Sequence, residues 1–310
     1  MALDLRPLTL AELLDRSFST YKRHFWLFVG IMAVPASVGL LYAVTMEVFQ
    51  FLVTRPQIAA AGAGTPTPEQ AFVVMAPVII GAVVFMLIYL VVYAFALGAT
   101  TIAVAHVYKD QPISIGDAYR QVRRHGGRLI LLMIFAGLRI TGVWLGLVVV
   151  CAVIGALLAL ISPLFAPVIM GLGFVAAFVL AFVIGIRYGV AVPAVVLEDL
   201  TAGGALARSA SLTEDHRGRL FLLILCAIVI TYATLLLFQG PFMFGAILAG
   251  PGTVTALVLT IAGAIVGTIG GMFSGPIMII GLAMIYYDLR IRKEALDLQM
   301  MLEALDAPRV

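Results

Sequence analysis

LTLAELLDRSFSTYKRH, residues 8–24, decides how the rest of the chain is read, because its design recurs twice. ISIGDAYRQVRRHGGR follows at 113–128 and LTAGGALARSASLTEDHRGR at 200–219. Each opens on an apolar residue and a hydroxyl residue, Thr9, Ser114 or Thr201, placed as an N-cap for the free amides of a first helical turn. Thr9 with Glu12 spells a capping box, and Ser114 with Asp117 a weaker one. Apolar residues then recur at helical spacing, as in Leu10, Leu13, Leu14, Phe18 and Tyr21, or Ile115, Ala118, Tyr119 and Val122, while charged and hydroxyl residues fill the other face. Each segment runs into a long apolar stretch. The unit is therefore a surface helix followed by two membrane helices, used three times over about 1–110, 111–199 and 200–290.

Composition agrees. The chain is 63% hydrophobic and 11% charged, with a mean hydropathy of +1.14, which excludes a soluble globular domain of this size. A net charge of +3 does not point to nucleic acid, since basic residues gather at one membrane face anyway. Cys151 and Cys226 lie in apolar stretches and read as small hydrophobes. The first 24 residues mix acids and bases, unlike a cleavable leader.

The spans read as 25–53, 71–108, 129–160, 168–197, 220–238 and 253–287. The connection QGPFMFGAILAGPG holds too short an apolar core to cross ~30 Å, so it is expected as a re-entrant or interfacial piece. The last span carries Gly263, Gly267 and Gly271, then Ser274-Gly275-Pro276. Small residues at that spacing allow close helix approach, and the Gly-Pro pair is expected to break or kink the helix. A tightly packed helix and a moving, ligand-lining break both remain open there. A C-terminal helix is expected at 288–305, with Ile291, Ala295, Leu298, Leu302 and Leu305 at seam-like spacing; a coiled coil and a helix lying back on the bilayer both fit.

Sixteen of the 19 Lys and Arg residues fall in 1–24, 109–128, 200–219 and after Tyr287, and Arg55 alone lies in the opposite loops. The positive-inside rule then puts both termini and all three surface helices in the cytoplasm. The fold expected is all-α and polytopic: six transmembrane helices in three hairpins, each preceded by a cytoplasmic amphipathic helix.

Three stretches carry a family resemblance: LTLAELLDRSFSTYKRHF at the N-terminus, VPAVVLEDLTAGGALARSASL at 192–212 and IYYDLRIRKEALDL at 285–298. They resemble the membrane domain associated with bacterial glycerophosphoryl diester phosphodiesterases, most specifically in Pro193…Glu198…Arg208-Ser209 and in Tyr287-Asp288-Leu289-Arg290. The resemblance runs over essentially the whole chain. It implies a bacterial inner-membrane protein whose fused relatives use this domain to anchor a catalytic domain. It does not carry an activity over. His216-Arg217-Gly218 matches the tripeptide that opens the catalytic barrel, but RLFLLIL follows it in place of the metal-binding signature.

No zinc-protease, nucleophile-elbow, phosphate-loop, calcium-loop or Cys/His motif occurs. A non-enzymatic protein with no cofactor and no metal is expected. Arg139 and Arg187 stand out, each roughly eleven residues, or ~16 Å, into its span when counted from Arg128 and Glu198. A mid-membrane arginine costs about 2.5–3.5 kcal/mol, so it needs protein, water or a ligand. With no acid expected at that depth, the pair suits an anion held by two guanidinium forks. The competing reading has each guanidinium capping carbonyls freed at kinks near Gly142, Gly185 or Gly189. A second candidate anion site is the rim cluster Arg120, Arg123, Arg124 and Arg128, suited to anionic headgroups, though ordinary positive-inside bias also accounts for it. Glu198 and Asp199 beside Arg208 are expected to lock the third surface helix.

Three functions fit: binding or moving an anionic lipid or lipid-like ligand; an accessory or scaffold subunit docking a membrane protein partner through its transmembrane surface or C-terminal helix; and a transporter. Nucleic acid is not an expected partner.

Overall fold

A computed structural model describes residues 8–56 and 68–294. Among them every regular element is helical: α1 (Leu10–Arg23), α2 (Phe25–Phe49), α3 (Pro68–Tyr108), α4 (Ile115–Val122), α5 (Gly126–Ala159), α6 (Phe165–Arg187), α7 (Ala191–Leu197), α8 (Ala202–Thr213), α9 (Arg217–Ala249) and α10 (Val254–Glu294), with a π-helical turn at Gln50–Thr54 and a 3₁₀ turn at Arg123–His125. Six helical stretches are long and apolar enough to cross a membrane. The expected all-α fold with six spans is what the chain adopts.

The N-caps form as their chemistry dictates. The Glu12 amide donates to Thr9 Oγ1 at 3.3 Å and the Thr9 amide to Glu12 Oε2 at 2.7 Å, a reciprocal box. Ser114 accepts from the Asp117 amide at 3.1 Å, and Thr201 from the Gly204 amide at 3.2 Å. In α1, Leu13, Ser17 and Tyr21 are buried while Lys22 and Arg23 are exposed.

The chain forms two compact units, one from Met1–Leu14, Val122–Leu223 and Gly281–Val310, the other from Asp15–Gln121 and Ile224–Ile280. In the second unit α2 and α3 run antiparallel, with Tyr42 stacked on Phe85 at 3.8 Å and Tyr89 beside Gly39. Phe242, Gln239 and Phe238 of α9 lie directly over Gly263, Gly267 and Gly270 of α10. The close-approach stripe therefore uses Gly270; a Cβ at Gly271 would meet nothing within 4 Å.

Two expectations are corrected. QGPFMFGAILAGPG is not a separate re-entrant piece: α9 continues through Pro241 to Ala249 and turns at Gly250 and Gly252, whose φ values of 86° and 83° suit glycine. Likewise α10 continues as one helix through Pro276, so of the expected break or kink the break does not occur. In hydrocarbon, leaving the helix would strand several backbone groups, whereas an internal proline removes one bond. Near Pro276 the Tyr21 hydroxyl adds a bond of its own to the Phe273 carbonyl, at 2.7 Å. The proposed seam beyond Glu294 (Ala295, Leu298, Leu302, Leu305) lies outside the described residues.

In the first unit α5 packs antiparallel on α6: Gly155 meets the Ala166 backbone, Gly173 meets Cys151 and Gly185 faces Ile140. The expected fourth span is not one helix. It breaks at Tyr188–Val190 and resumes as α7, whose Ala191, Pro193, Ala194, Val195 and Val196 are all buried.

Candidate functional site: two arginines at a helix break

The break after Arg187 is where the first unit's polar chemistry begins. Ending a helix frees carbonyls that must find donors. Here α8 supplies them. Ser209 donates to the Arg187 carbonyl at 2.9 Å and accepts from the Val190 amide at 3.3 Å. Thr213 Oγ1 lies 3.3 Å from the same carbonyl, but its single proton has a shorter acceptor in the Ser209 carbonyl at 2.9 Å. Ser209 and Thr213 are fully buried, so these bonds form away from water, where an unmade one is most costly.

The kink carbonyl at Arg187 is thus met by a hydroxyl rather than by guanidinium groups. Arg139 and Arg187 are both exposed. Arg139 reaches the Tyr188 hydroxyl at 3.4 Å and lies 6.0 Å from that ring's centroid. Because Gly185 faces Ile140 across the helix pair, Arg139 and Arg187 lie within about one helical turn of the same level. Neither forms an ion pair with a carboxylate among the described residues. The 23 residues of α6 extend about 34 Å, enough to cross a ~30 Å core unaided. Arg187 is its last residue.

The rim arginines behave individually. Arg128 donates to the Asp199 carbonyl at 2.9 Å and pairs with its carboxylate, which His125 Nε2 also approaches at 3.2 Å. Asp199, at φ 55°, adopts the left-handed conformation that aspartate tolerates at a helix end. Arg123 and Arg124 are exposed. Arg120 belongs to the other unit and lies 3.5 Å from Asp117.

Glu198 does lock α8, as expected, while Asp199 turns to Arg128 instead. Arg208 holds Glu198 through Nε at 2.9 Å and a second nitrogen at 3.1 Å, and it also bonds Glu294. Arg290 bridges the same two glutamates, at 3.5 and 3.1 Å, and the Tyr286 hydroxyl donates to Glu198. The bond to Glu294, opposed by burial and reinforced by Glu198, raises the Arg208 pKa above its ordinary value. Beside it, Lys293 binds Asp215 at 2.7 Å, which lowers that acid's pKa.

Sequence reading missed a second knot. Asp288, 1% exposed, accepts from the Leu8 amide at 2.8 Å and pairs with Arg219 and Arg292 at 3.1 and 3.0 Å. Both arginines also donate to the Leu8 carbonyl, each at 2.6 Å. Asp288 and Glu198 fall inside the two runs quoted for the family resemblance, a signal that marked these positions without giving Asp288 its partner.

Apart from Leu8, the residues of both knots fall in a stretch that matches a known family's model. Residues 160–303 match the model for the membrane domain of glycerophosphoryl diester phosphodiesterase. The match takes in Glu198, Arg208, Ser209, Asp288 and Arg290 and bears out the resemblance there, while LTLAELLDRSFSTYKRHF lies outside it. The matched domain is the family's membrane part and not its catalytic part. No curated protein and no solved structure matches the chain.

Proposed function

We propose that this chain is a non-enzymatic protein of the bacterial inner membrane that binds or moves an anionic lipid or lipid-like molecule through Arg139 and Arg187. One observation carries the reading: the carbonyl freed at the α6 break already accepts from the Ser209 hydroxyl at 2.9 Å. The two guanidinium groups therefore keep their donors for something else. At the end of a membrane-crossing helix, anionic headgroups are the abundant acceptors. Arg123 and Arg124 extend the same attraction along the surface, at about 1 kcal/mol per basic residue.

The test is native mass spectrometry of the purified protein with mixed lipids. Arg139→Gln and Arg187→Gln should each reduce retention of acidic phospholipid, and the double variant should be little worse than either, because two forks on one anion act as a unit. Additive losses of thermal stability with unchanged lipid retention would overturn the reading.

A scaffold function is the second reading, favoured by the mutual neutralisation of Glu198, Arg208, Arg290 and Glu294. A stable partner chain, with no bound lipid in the same spectra, would put it ahead. For orientation we propose a cytoplasmic basic face. Cysteines at Pro163 and Pro251 should then label from outside intact cells and those at Ser19, Gln121 and Asp215 should not; labelling of Gln121 would break the topology.

A further inference from the structure

The charge at the arginine pair narrows the ligand class. Guanidinium groups stay protonated, so Arg139 and Arg187 bring two positive charges. Glu198 and Asp199, the acids that follow the C-terminal end of α7, are engaged by Arg208, Arg290 and Tyr286 and by Arg128 and His125 respectively. The Tyr188 hydroxyl accepts from Arg139, which leaves its own proton free to donate. Two exposed arginines about one helical turn apart in level and a hydroxyl donor thus have no carboxylate paired with them among the described residues.

A phosphodiester headgroup brings one negative charge. A phosphomonoester brings about −1.5 to −2 near neutral pH, with a second pKa near 6 and three acceptor oxygens. Leu138 and Val183, 66% and 41% exposed, flank the arginines with apolar surface suited to a hydrocarbon chain. We infer that the site selects a phosphomonoester on an apolar tail, taking its doubly ionised form across both forks. The inference rests on the anion-site reading above and specifies its ligand.

The probe is the full chain equilibrated with equal amounts of phosphatidate, phosphatidylglycerol and phosphatidylcholine, with retained lipid read by native mass spectrometry at pH 7.5 and 5.5. Phosphatidate should exceed phosphatidylglycerol on the order of tenfold at pH 7.5, and the ratio should fall severalfold at pH 5.5 as the monoester takes up its second proton. Arg187→Gln should abolish both the preference and its pH dependence, while Arg187→Lys, which keeps the charge but loses the fork, should restore part of each. Millimolar inorganic phosphate should not displace phosphatidate; displacement would assign the site to free phosphate and overturn the lipid source. Equal retention of the two acidic lipids at both pH values overturns the inference and leaves the anion site standing. Retention of neither above phosphatidylcholine removes the anion site itself.

Discussion

Arg208 and Arg187 lie some twenty residues apart in one compact unit and have opposite surroundings. Arg208 is held by Glu198 and Glu294, and its neighbours Arg219, Arg290 and Arg292 are likewise paired. Arg187 ends a helix with an exposed guanidinium, while its backbone carbonyl is satisfied by a hydroxyl from α8. The first group spends its charge inside the protein, so removing a member should cost stability. The second leaves its charge outward, so removing a member should cost binding.

The largest expected effect is at Asp288. Its side chain is wholly buried and faces Arg219, Arg292 and the Leu8 amide. Asp288→Asn leaves two guanidinium groups with one carboxylate fewer, and breaking a buried pair from one side costs about 3 kcal/mol. Thermal unfolding in detergent should show a large drop for Asp288→Asn and little for Arg187→Gln. Equal drops would erase the distinction between the two arginine groups.

Ser209→Ala sharpens it. The substitution removes the Arg187 carbonyl's 2.9 Å donor and leaves it only the more distant Thr213 hydroxyl, while the Val190 amide loses its acceptor, and an unpaired buried group costs about 1–3 kcal/mol. If Arg139 or Arg187 folds back onto the carbonyl to replace the lost donor, retention of acidic lipid should fall along with stability. Ser209→Thr keeps the hydroxyl and should keep both. Loss of stability with lipid retention intact would show that the capping hydroxyl does not set the guanidinium free.

The six spans were legible because hydrophobic runs of this length have few other fates, and the N-caps because Thr9, Ser114 and Thr201 satisfy amides within their own turn. The errors share a cause. At Pro241 and Pro276 the local rule, that proline ends helices, lost to the cost of exposing backbone in hydrocarbon. At Tyr188–Val190 no proline announced a break; the hydroxyl that makes it tolerable, on Ser209, lies some twenty residues further on. Asp288 and Leu8, separated by 280 positions, are paired by topology and by no pattern in either stretch.

The smallest expected effect is at His216, at the edge of the paired cluster. Partial burial and then the positive charges of Arg292, Arg219 and Lys293 lower its pKa below the ordinary 6.5, against a smaller opposing pull from Asp215. The folded imidazole therefore resists a proton that the unfolded chain accepts as pH falls through 6.5. Stability on this account is fully present above that pH and declines on acidification until the folded ring also titrates. Wild type should lose slightly more thermal stability between pH 7.5 and 5.5 than His216→Gln, whose side chain keeps polarity without a titrating proton. The binding proposed for Arg139 and Arg187 draws on no histidine, so the lipid preference of His216→Gln should retain its own pH dependence. If His216→Gln flattened that dependence as well, the paired cluster and the outward-facing arginines would be coupled, and their separation into two roles would fail.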